Sequence, residues 1–156
     1  MFIFCSFTSH PKYDSIKKTI LAETLVSYEH LTPEIGLYLI TPECRLFTEP
    51  QLTEKDKIFE EDPFWGFYWP GGQALSKYIL ENPKVVEGKT ILDVGSGCGA
   101  SSIAAIMVNA KYCVANDIDE GGYFFFFFLL NNKNLIFVLI CWKKNKIMFN
   151  HTIIYT

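Results

Sequence analysis

The spacing of apolar positions predicts a helix near the start of the chain. Within residues 15–27 the apolar side chains recur at near-helical intervals, on one face formed by Ile16, Ile20, Leu21 and Leu25. Residues 36–40 then have an extended apolar pattern, and residues 44–47 could pair with them as a second strand. We therefore expect a packing helix followed by a small sheet.

A second helix and a strand–helix–strand unit follow. Residues 73–81 place four apolar side chains on one helical side, namely Ala74, Leu75, Tyr78 and Ile79, and Asn82-Pro83 ends this helix. Residues 91–94 are typical of a short buried strand, residues 100–108 of a helix and residues 112–115 of a second strand. Such a βαβ unit should be parallel and right-handed.

Glycines at every second position, Gly95, Gly97 and Gly99, separate the first of these strands from its helix. Glycine permits positive φ and lets a ligand approach the backbone, and a helix N-terminus favours a polar group. The spacing G-x-G-x-G differs from the G-x-G-x-x-G of dinucleotide binders. With Asp93 before the first glycine, it favours S-adenosylmethionine over NAD.

Two acidic residues follow the second strand. Asp117 lies 18 positions after Gly99, a suitable distance for a carboxylate that accepts hydrogen bonds from ribose hydroxyls. Asp119 could approach an adenine ring or cap the next helix.

Residues 63–72 (PFWGFYWPGG) are too rich in aromatic residues, proline and glycine for a regular helix. The segment is either a hydrophobic plug over the core or the aromatic wall of a ligand pocket, and composition alone favours the plug. The preceding residues 43–62 are rich in acidic side chains. Charge runs of this kind usually form a solvated loop, and we favour that interpretation. The alternative is an acidic surface that attracts a lysine-bearing partner.

Composition limits the classes of function. The 156 residues allow one domain, and a net charge of −3 argues against a nucleic-acid-binding surface. Five scattered cysteines without C-x-x-C spacing, and three histidines without ligand spacing, argue against a metal site or a disulfide framework. The most apolar stretch, residues 123–142, is interrupted by N-N-K-N, so we expect no membrane span.

Residues 121–156 lack any helical or alternating pattern and include a run of five phenylalanines. We interpret this segment as an aberrant low-complexity tail, such as translated AT-rich non-coding DNA from a retained intron. The predicted division is an unmatched N-terminus (1–13), a domain portion (14–120) and this tail.

The sequence resembles the electron transfer flavoprotein β-subunit lysine methyltransferases. The resemblance is carried by the segment DPFWGFYWPGGQALSKY at residues 62–78 and by the later segments LDVGSGCGA and VANDID. Residues 31–35 and 39–44 fit the same family, and the match covers roughly residues 14 to 120. The resemblance implies an α/β fold: the N-terminal part of a Rossmann-like seven-strand methyltransferase, with the first βαβ unit and the helices before it. It also implies methyl transfer from S-adenosylmethionine to lysines of the flavoprotein β subunit, by direct displacement without a catalytic residue in this chain.

The resemblance further implies roles for individual residues. The glycines would border the methionine part of the cofactor, Asp93 would orient the loop or meet the amino group, and Asp117 would hold the ribose. Trp69 would contact the cofactor, which favours the pocket wall over the plug, and Cys98 would fill space beneath the turn rather than act as a nucleophile. The complete predicted cofactor site is Trp69, Asp93, Gly95, Ser96, Gly97, Cys98, Gly99, Asn116, Asp117 and Ile118, with Ile118 against the adenine.

The sequence departs from this family after Asp119, where the family continues with a helix and an acidic L-G-D-x-F-Y-D type segment that lines the lysine channel. We therefore expect this chain to be an inactive fragment whose first strand, apolar on both faces, is prone to aggregation. Alternatives are another class I methyltransferase acting on a ribosomal protein or a small molecule, or a non-catalytic product that binds cofactor or a partner.

The family implies the mitochondrial matrix, although residues 1–7 do not resemble a transit peptide, and a cytoplasmic location is the alternative.

Overall fold

The computed structural model describes residues 11–49, 57–59, 62–119, 136–143 and 146–154. Its helices are α1 (Pro11–Glu23), α2 (Arg45–Thr48), α3 (Pro70–Glu81) and α4 (Ala100–Met107), with single 3-10 turns at Phe64–Gly66 and Pro83–Val85. Its strands are β1 (Leu25–Ser27), β2 (Leu37–Leu39), β3 (Thr90–Val94), β4 (Tyr112–Asp117), β5 (Ile136–Lys143) and β6 (Lys146–Ile154).

The centre of the fold is the β3–α4–β4 unit. Strands β3 and β4 are parallel, with Leu92 opposite Val114 and Val94 opposite Asn116, so the carboxyl ends of the two strands lie side by side. Helix α4 connects them, and α3 packs against α4. The predicted parallel βαβ unit is confirmed, and the chain has an α/β fold that corresponds to the first βαβ part of a Rossmann-like domain and the helices before it.

The N-terminal part differs from its prediction. The helix predicted over residues 15–27 ends at Glu23, because Leu25–Ser27 pairs antiparallel with β2, with Val26 opposite Tyr38. The predicted pairing of residues 44–47 with β2 is wrong. A turn closed by Cys44 N–H donating to Thr41 O at 2.9 Å reverses the chain, and α2 follows it.

The buried side of α3 also differs from the predicted one. Among the predicted apolar positions only Ile79 is buried, whereas Leu75 and Tyr78 are exposed. Ser76 is fully buried instead. Its hydroxyl donates to Gly72 O at 2.8 Å within the helix, so its burial leaves no unsatisfied donor.

The core joins the small β1–β2 sheet to the α3–α4 pair. It contains Leu37 and Leu39 from β2 and Ala104 and Ala105 from α4. The aromatic segment contributes Trp65 and Tyr68, whereas Phe64 and Trp69 are exposed. The segment is therefore partly a plug and partly an exposed aromatic surface.

Strand β3 is less buried than its apolar sequence predicts. In the described four-stranded sheet, ordered β3-β4-β5-β6, it is an edge strand. Ile91 packs against the core, but Leu92 and Val94 are 63% and 71% exposed on the other side. The strand is covered on one face only.

Strands β5 and β6 lie in the segment for which the sequence pattern predicts no regular element. Strand β5 pairs parallel to β4, with Ala115 opposite Leu139, and β6 pairs antiparallel to β5. Both strands are rich in isoleucine, phenylalanine and other residues of high strand propensity, which extended pairing accommodates without a strict alternation. The rest of the predicted tail lies outside the described residues, and the proposed division at residue 121 stays a prediction.

Candidate functional site

The glycine loop, residues 95–99, connects β3 to α4 and has the left-handed backbone that its sequence predicts. The φ angles are +69° at Gly95, +50° at Gly97 and +75° at Gly99, which is the residue before α4. A Cβ atom built on Gly95 or Gly97 would meet nothing within 4 Å. The outer side of the loop is therefore open, and a ligand can approach its backbone closely.

The end of β4 holds the loop through the main chain. The N–H groups of Gly95 and Ser96 both donate to Asn116 O, at 2.8 and 2.9 Å. Gly99 N–H donates to Ser96 O at 2.7 Å and closes the turn. Ser96 and Asn116, both predicted site residues, thus shape the loop through backbone atoms.

Asp117 places a carboxylate beside the glycine loop, on the N–H side of Gly97. Its Oδ2 accepts a hydrogen bond from Gly97 N–H at 2.7 Å. Its Oδ1 accepts from the N–H groups of Ile118 and Asp119, at 2.8 and 3.1 Å. The predicted ribose-binding carboxylate therefore lies beside the glycine turn, next to the exposed side chain of Ile118.

Asp93 supports the loop from the helix side. The hydroxyls of Ser101 and Ser102 both donate to Asp93 Oδ2 at 2.6 Å. The carboxylate thereby ties the end of β3 to the first turn of α4. Its two predicted roles, orientation of the loop or contact with the cofactor's amino group, stay predictions. The two serines are not among the predicted site residues, although hydroxyl side chains in the first turn of a helix that follows a strand with an aspartate near its end would have indicated them.

Cys98 points away from the open side and is buried in the core. Burial raises the pKa of its thiol to about 12, and the charge of nearby Asp93 acts in the same direction. A thiol with that pKa is protonated at neutral pH and is a poor nucleophile. Its contribution is packing beneath the turn, as predicted.

Trp69 is the residue before α3, and its side chain is 53% exposed. The indole Nε1–H donates to Phe64 O at 3.0 Å, and the ring centroid lies 5.7 Å from that of Phe67. The preceding Tyr68 belongs to the same core cluster as Cys98. Burial raises the pKa of Tyr68, and Cys98 acts electrostatically in the same direction, so the aromatic segment lies near the glycine loop. These contacts place an exposed indole on the segment that adjoins the loop.

Within the described ranges, no group of three or more His, Cys, Asp or Glu side chains could hold a metal ion. No helix in that part of the chain has the length and apolar character needed to cross a membrane.

Comparisons with known proteins add to this geometry. The family model described as Ribosomal protein L11 methyltransferase (PrmA) matches residues 73–122. The electron transfer flavoprotein beta subunit lysine methyltransferase of Danio rerio is 51% identical over 108 residues, 68% of this chain and 40% of that protein. The human protein of the same name is 56% identical over 89 residues, 57% of this chain and 32% of that protein. The homolog from Caenorhabditis elegans is 45% identical over 109 residues, 70% of this chain and 43% of that protein.

The chain spans less than half the length of the curated relatives that it matches. A solved structure of a candidate RNA methyltransferase from Pyrococcus horikoshii aligns with a TM-score of 0.42 at 21% identity, over 57% of this chain and 49% of that chain. At that score the likeness is too weak to define the fold.

The matched family model and the relatives are methyltransferases, so this chain, with its βαβ fold and glycine loop, is similar to that class of protein. More particularly, over its matched residues this chain is a homologue of the electron transfer flavoprotein beta subunit lysine methyltransferases. The resemblance found in its sequence is confirmed.

Proposed function

We propose that this chain carries the cofactor-binding part of a protein-lysine N-methyltransferase that uses S-adenosylmethionine and acts on the electron transfer flavoprotein β subunit. One observation carries the cofactor part of this proposal: the Asp117 carboxylate lies across a positive-φ glycine loop whose outer side is open. An acidic group beside such a loop at the ends of two parallel strands suits a nucleoside with vicinal hydroxyls.

The residues present fit this cofactor. Asp117 offers the carboxylate for the ribose, the bare backbone of Gly95 and Gly97 admits the methionine part, and exposed Ile118 offers an apolar surface for adenine. Bound S-adenosylmethionine would supply an electrophilic methyl group on its sulfonium. The chain's own task is to hold and orient, since direct displacement by a neutral amine needs no covalent intermediate on the protein.

The acceptor and the location rest on the names of the relatives and on the sequence resemblance. Six relatives at 45–56% identity carry the name of the flavoprotein β-subunit enzyme or its homolog, which supports lysines of that subunit as the methyl acceptors. We propose the mitochondrial matrix as the location on the same basis. We also propose that this chain alone binds cofactor without transferring methyl groups, because no segment of the lysine-channel type follows Asp119.

Calorimetric titration of the purified chain with S-adenosylmethionine tests the cofactor proposal. We expect a Kd below about 1 mM, equivalent to roughly −4 kcal/mol, and no heat with NAD as the matched control ligand. Undetectable binding of S-adenosylmethionine would overturn the cofactor proposal and leave only the similarity to the family.

A radiolabel transfer assay with the flavoprotein β subunit tests the second part. We expect no transfer by this chain alone, whereas robust labelling would disprove its inactivity and establish the acceptor. Fusion of the chain to the remaining part of a relative such as the Danio rerio protein should restore labelling if the cofactor half is competent.

A ribosomal-protein acceptor is the second candidate, and the match to the PrmA family model favours it. That match covers residues 73–122, from α3 to the end of β4, which is the part that surrounds the proposed cofactor site rather than an acceptor site. Binding of the purified chain to each isolated acceptor separates the two candidates: a measurable Kd for ribosomal protein L11 but not for the flavoprotein subunit would favour the alternative.

A further inference from the structure

Gln73, in the first turn of α3, joins two segments that are distant in sequence. Its side-chain Oε1 accepts a hydrogen bond from Leu31 N–H at 3.1 Å, and its Nε2 donates to Tyr68 O at 2.8 Å. Its own backbone N–H donates to Trp69 O at 3.0 Å. The side chain of Gln73 therefore links the Tyr68 carbonyl to the Leu31 amide, while its main-chain N–H holds the Trp69 carbonyl in the first turn of α3.

The same N-terminal segment also contacts the side chain of Tyr68. The hydroxyls of Thr32 and Tyr68 are 3.0 Å apart, and both residues are buried. The His30 ring lies edge-on to the Tyr68 ring at a centroid distance of 4.9 Å, and its Nδ1 accepts from Thr32 N–H at 3.3 Å. Residues 30–32 thus fix Tyr68 at its ring, while Gln73 fixes it at its carbonyl.

These contacts bear directly on Trp69. The indole is half exposed, and its Nε1–H donates to Phe64 O. Its ring centroid lies 6.2 Å from that of Phe64 and 5.7 Å from that of Phe67, so these contacts come from the same segment, residues 64–69. The orientation of the ring consequently depends on the backbone that carries it. That backbone is fixed at residues 68 and 69 by Gln73.

We propose that Gln73 is a positioning residue for the cofactor site, which acts through Trp69 by tying the segment 68–69 to residues 30–32. The part of the proposal that concerns the cofactor rests on the proposed function, in which Trp69 contacts S-adenosylmethionine. The part that concerns how Gln73 holds Trp69 can be tested without a ligand. A side chain held in its binding orientation before the ligand arrives loses less entropy on binding. Gln73 itself is not proposed to touch the cofactor.

The first measurement is made on the ligand-free full chain. Subtraction of the fluorescence of the Trp69→Phe variant from that of the parent chain isolates the signal of Trp69. The same subtraction is made between Gln73→Met and the double variant Gln73→Met/Trp69→Phe. Methionine keeps the length of the side chain and removes both hydrogen bonds. We expect the anisotropy of the Trp69 signal to fall and its quenching by acrylamide to rise, with no change for Lys77→Met one turn later on the exposed side of the same helix. An unchanged Trp69 signal in folded Gln73→Met would overturn the proposal.

The second measurement is a double-mutant cycle on the Kd for S-adenosylmethionine. We expect Gln73→Met to raise the Kd about tenfold in the parent and less than about twofold in a Trp69→Ala background, since coupled sites are not additive. Equal effects in both backgrounds would show that Gln73 does not act through Trp69. Should the parent chain fail to bind, the proposed function fails, and the ligand-free measurement decides the role of Gln73 alone.

Gln73→Glu covers the case in which the methionine variant does not fold. Glutamate keeps an acceptor for Leu31 N–H and loses the donor to Tyr68 O. The same loosening of Trp69 is expected, and a Trp69 signal identical to that of the parent would count against the proposal.

Discussion

The carboxylate of Asp117 and the backbone of Gly97 are joined by a hydrogen bond of 2.7 Å, from Gly97 N–H to Asp117 Oδ2. The two residues are 20 positions apart, and the parallel pairing of β3 with β4 brings them together. Each carboxylate oxygen has two lone-pair sites, so Oδ2 can keep this bond and still accept a hydroxyl hydrogen. The contact thus fixes the loop and, under the proposed function, orients the carboxylate that would accept from a ribose.

Asp117→Asn should weaken binding of S-adenosylmethionine by about tenfold to a hundredfold, because charge-assisted bonds to vicinal hydroxyls are lost. The single amide oxygen also cannot serve Gly97 on one side and Ile118 on the other. Calorimetric titration measures the effect, with the same change at exposed Asp62 as the control. An unchanged Kd for Asp117→Asn would mean that this carboxylate does not contact the cofactor.

Gly97→Ala and Gly71→Ala should have opposite effects on stability. An added Cβ meets no atom within 4 Å at either position, so steric contacts are matched. Gly97 has a φ of +50°, where a side chain costs about 1–2 kcal/mol, whereas Gly71 is in α3, where alanine gains up to about 1 kcal/mol. Urea unfolding provides the comparison. Equal free energies of unfolding for the two variants would show that the loop does not keep its left-handed backbone in solution.

Ser102→Ala should cost more stability than Ser101→Ala, although both hydroxyls lie 2.6 Å from Asp93 Oδ2. Ser102 is fully buried, while Ser101 is only partly buried, so water can replace the Ser101 hydroxyl. We expect a loss of about 1–3 kcal/mol for Ser102→Ala and less than about 1 kcal/mol for Ser101→Ala, measured by urea unfolding. The reverse order would argue that Asp93 is held mainly from its exposed side.

The strand, the glycine turn and the helix of the candidate site could be predicted from sequence because each is specified locally. Three glycines at alternate positions require a turn with positive φ, and the flanking runs have the periods of a strand and a helix. The place of the Asp117 carboxylate beside the loop follows from its position at the end of β4. These features need no knowledge of distant contacts.

The features that could not be predicted depend on partners far along the chain. Strand β1 has three residues and exists because β2 pairs with it, so its sequence alone also suits a helix. Burial of Ser76 instead of Leu75 is decided by the packing of α3 on α4. The bond from Leu31 N–H to Gln73 spans 42 positions, and nothing near either residue signals it.

Leu92→Lys should reduce self-association of the chain. Leu92 lies on β3, an edge strand of the described sheet, and is 63% exposed beside Val94. A lysine on an exposed edge strand opposes pairing with another strand. We therefore expect the protein concentration at which half of the chains are associated to rise by about tenfold or more. Sedimentation velocity over a concentration series measures it. Tyr78→Lys, on the exposed side of α3, is the matched control, and an equal effect of both changes would point to general solubility rather than the strand edge.

Two buried thiols, Cys98 in the glycine loop and Cys113 on β4, should make stability fall at alkaline pH. Burial raises the pKa of Cys98 to about 12 and that of Cys113 to about 11, from an ordinary value of 9.0. Above pH 9 the unfolded chain releases these protons while the folded chain keeps them. The stabilisation present below pH 9 is therefore lost as pH rises toward 11 and 12, by up to about 1.4 kcal/mol per pH unit for each thiol.

Urea unfolding between pH 8 and 10.5 (a range of about 2.5 pH units) should show this slope for the parent chain and a flatter one for the double variant Cys98→Ala/Cys113→Ala. The two curves are compared by slope, because the cavities left by alanine lower stability equally at every pH. Parallel curves would show that both thiols ionise as readily in the folded chain as in the unfolded one.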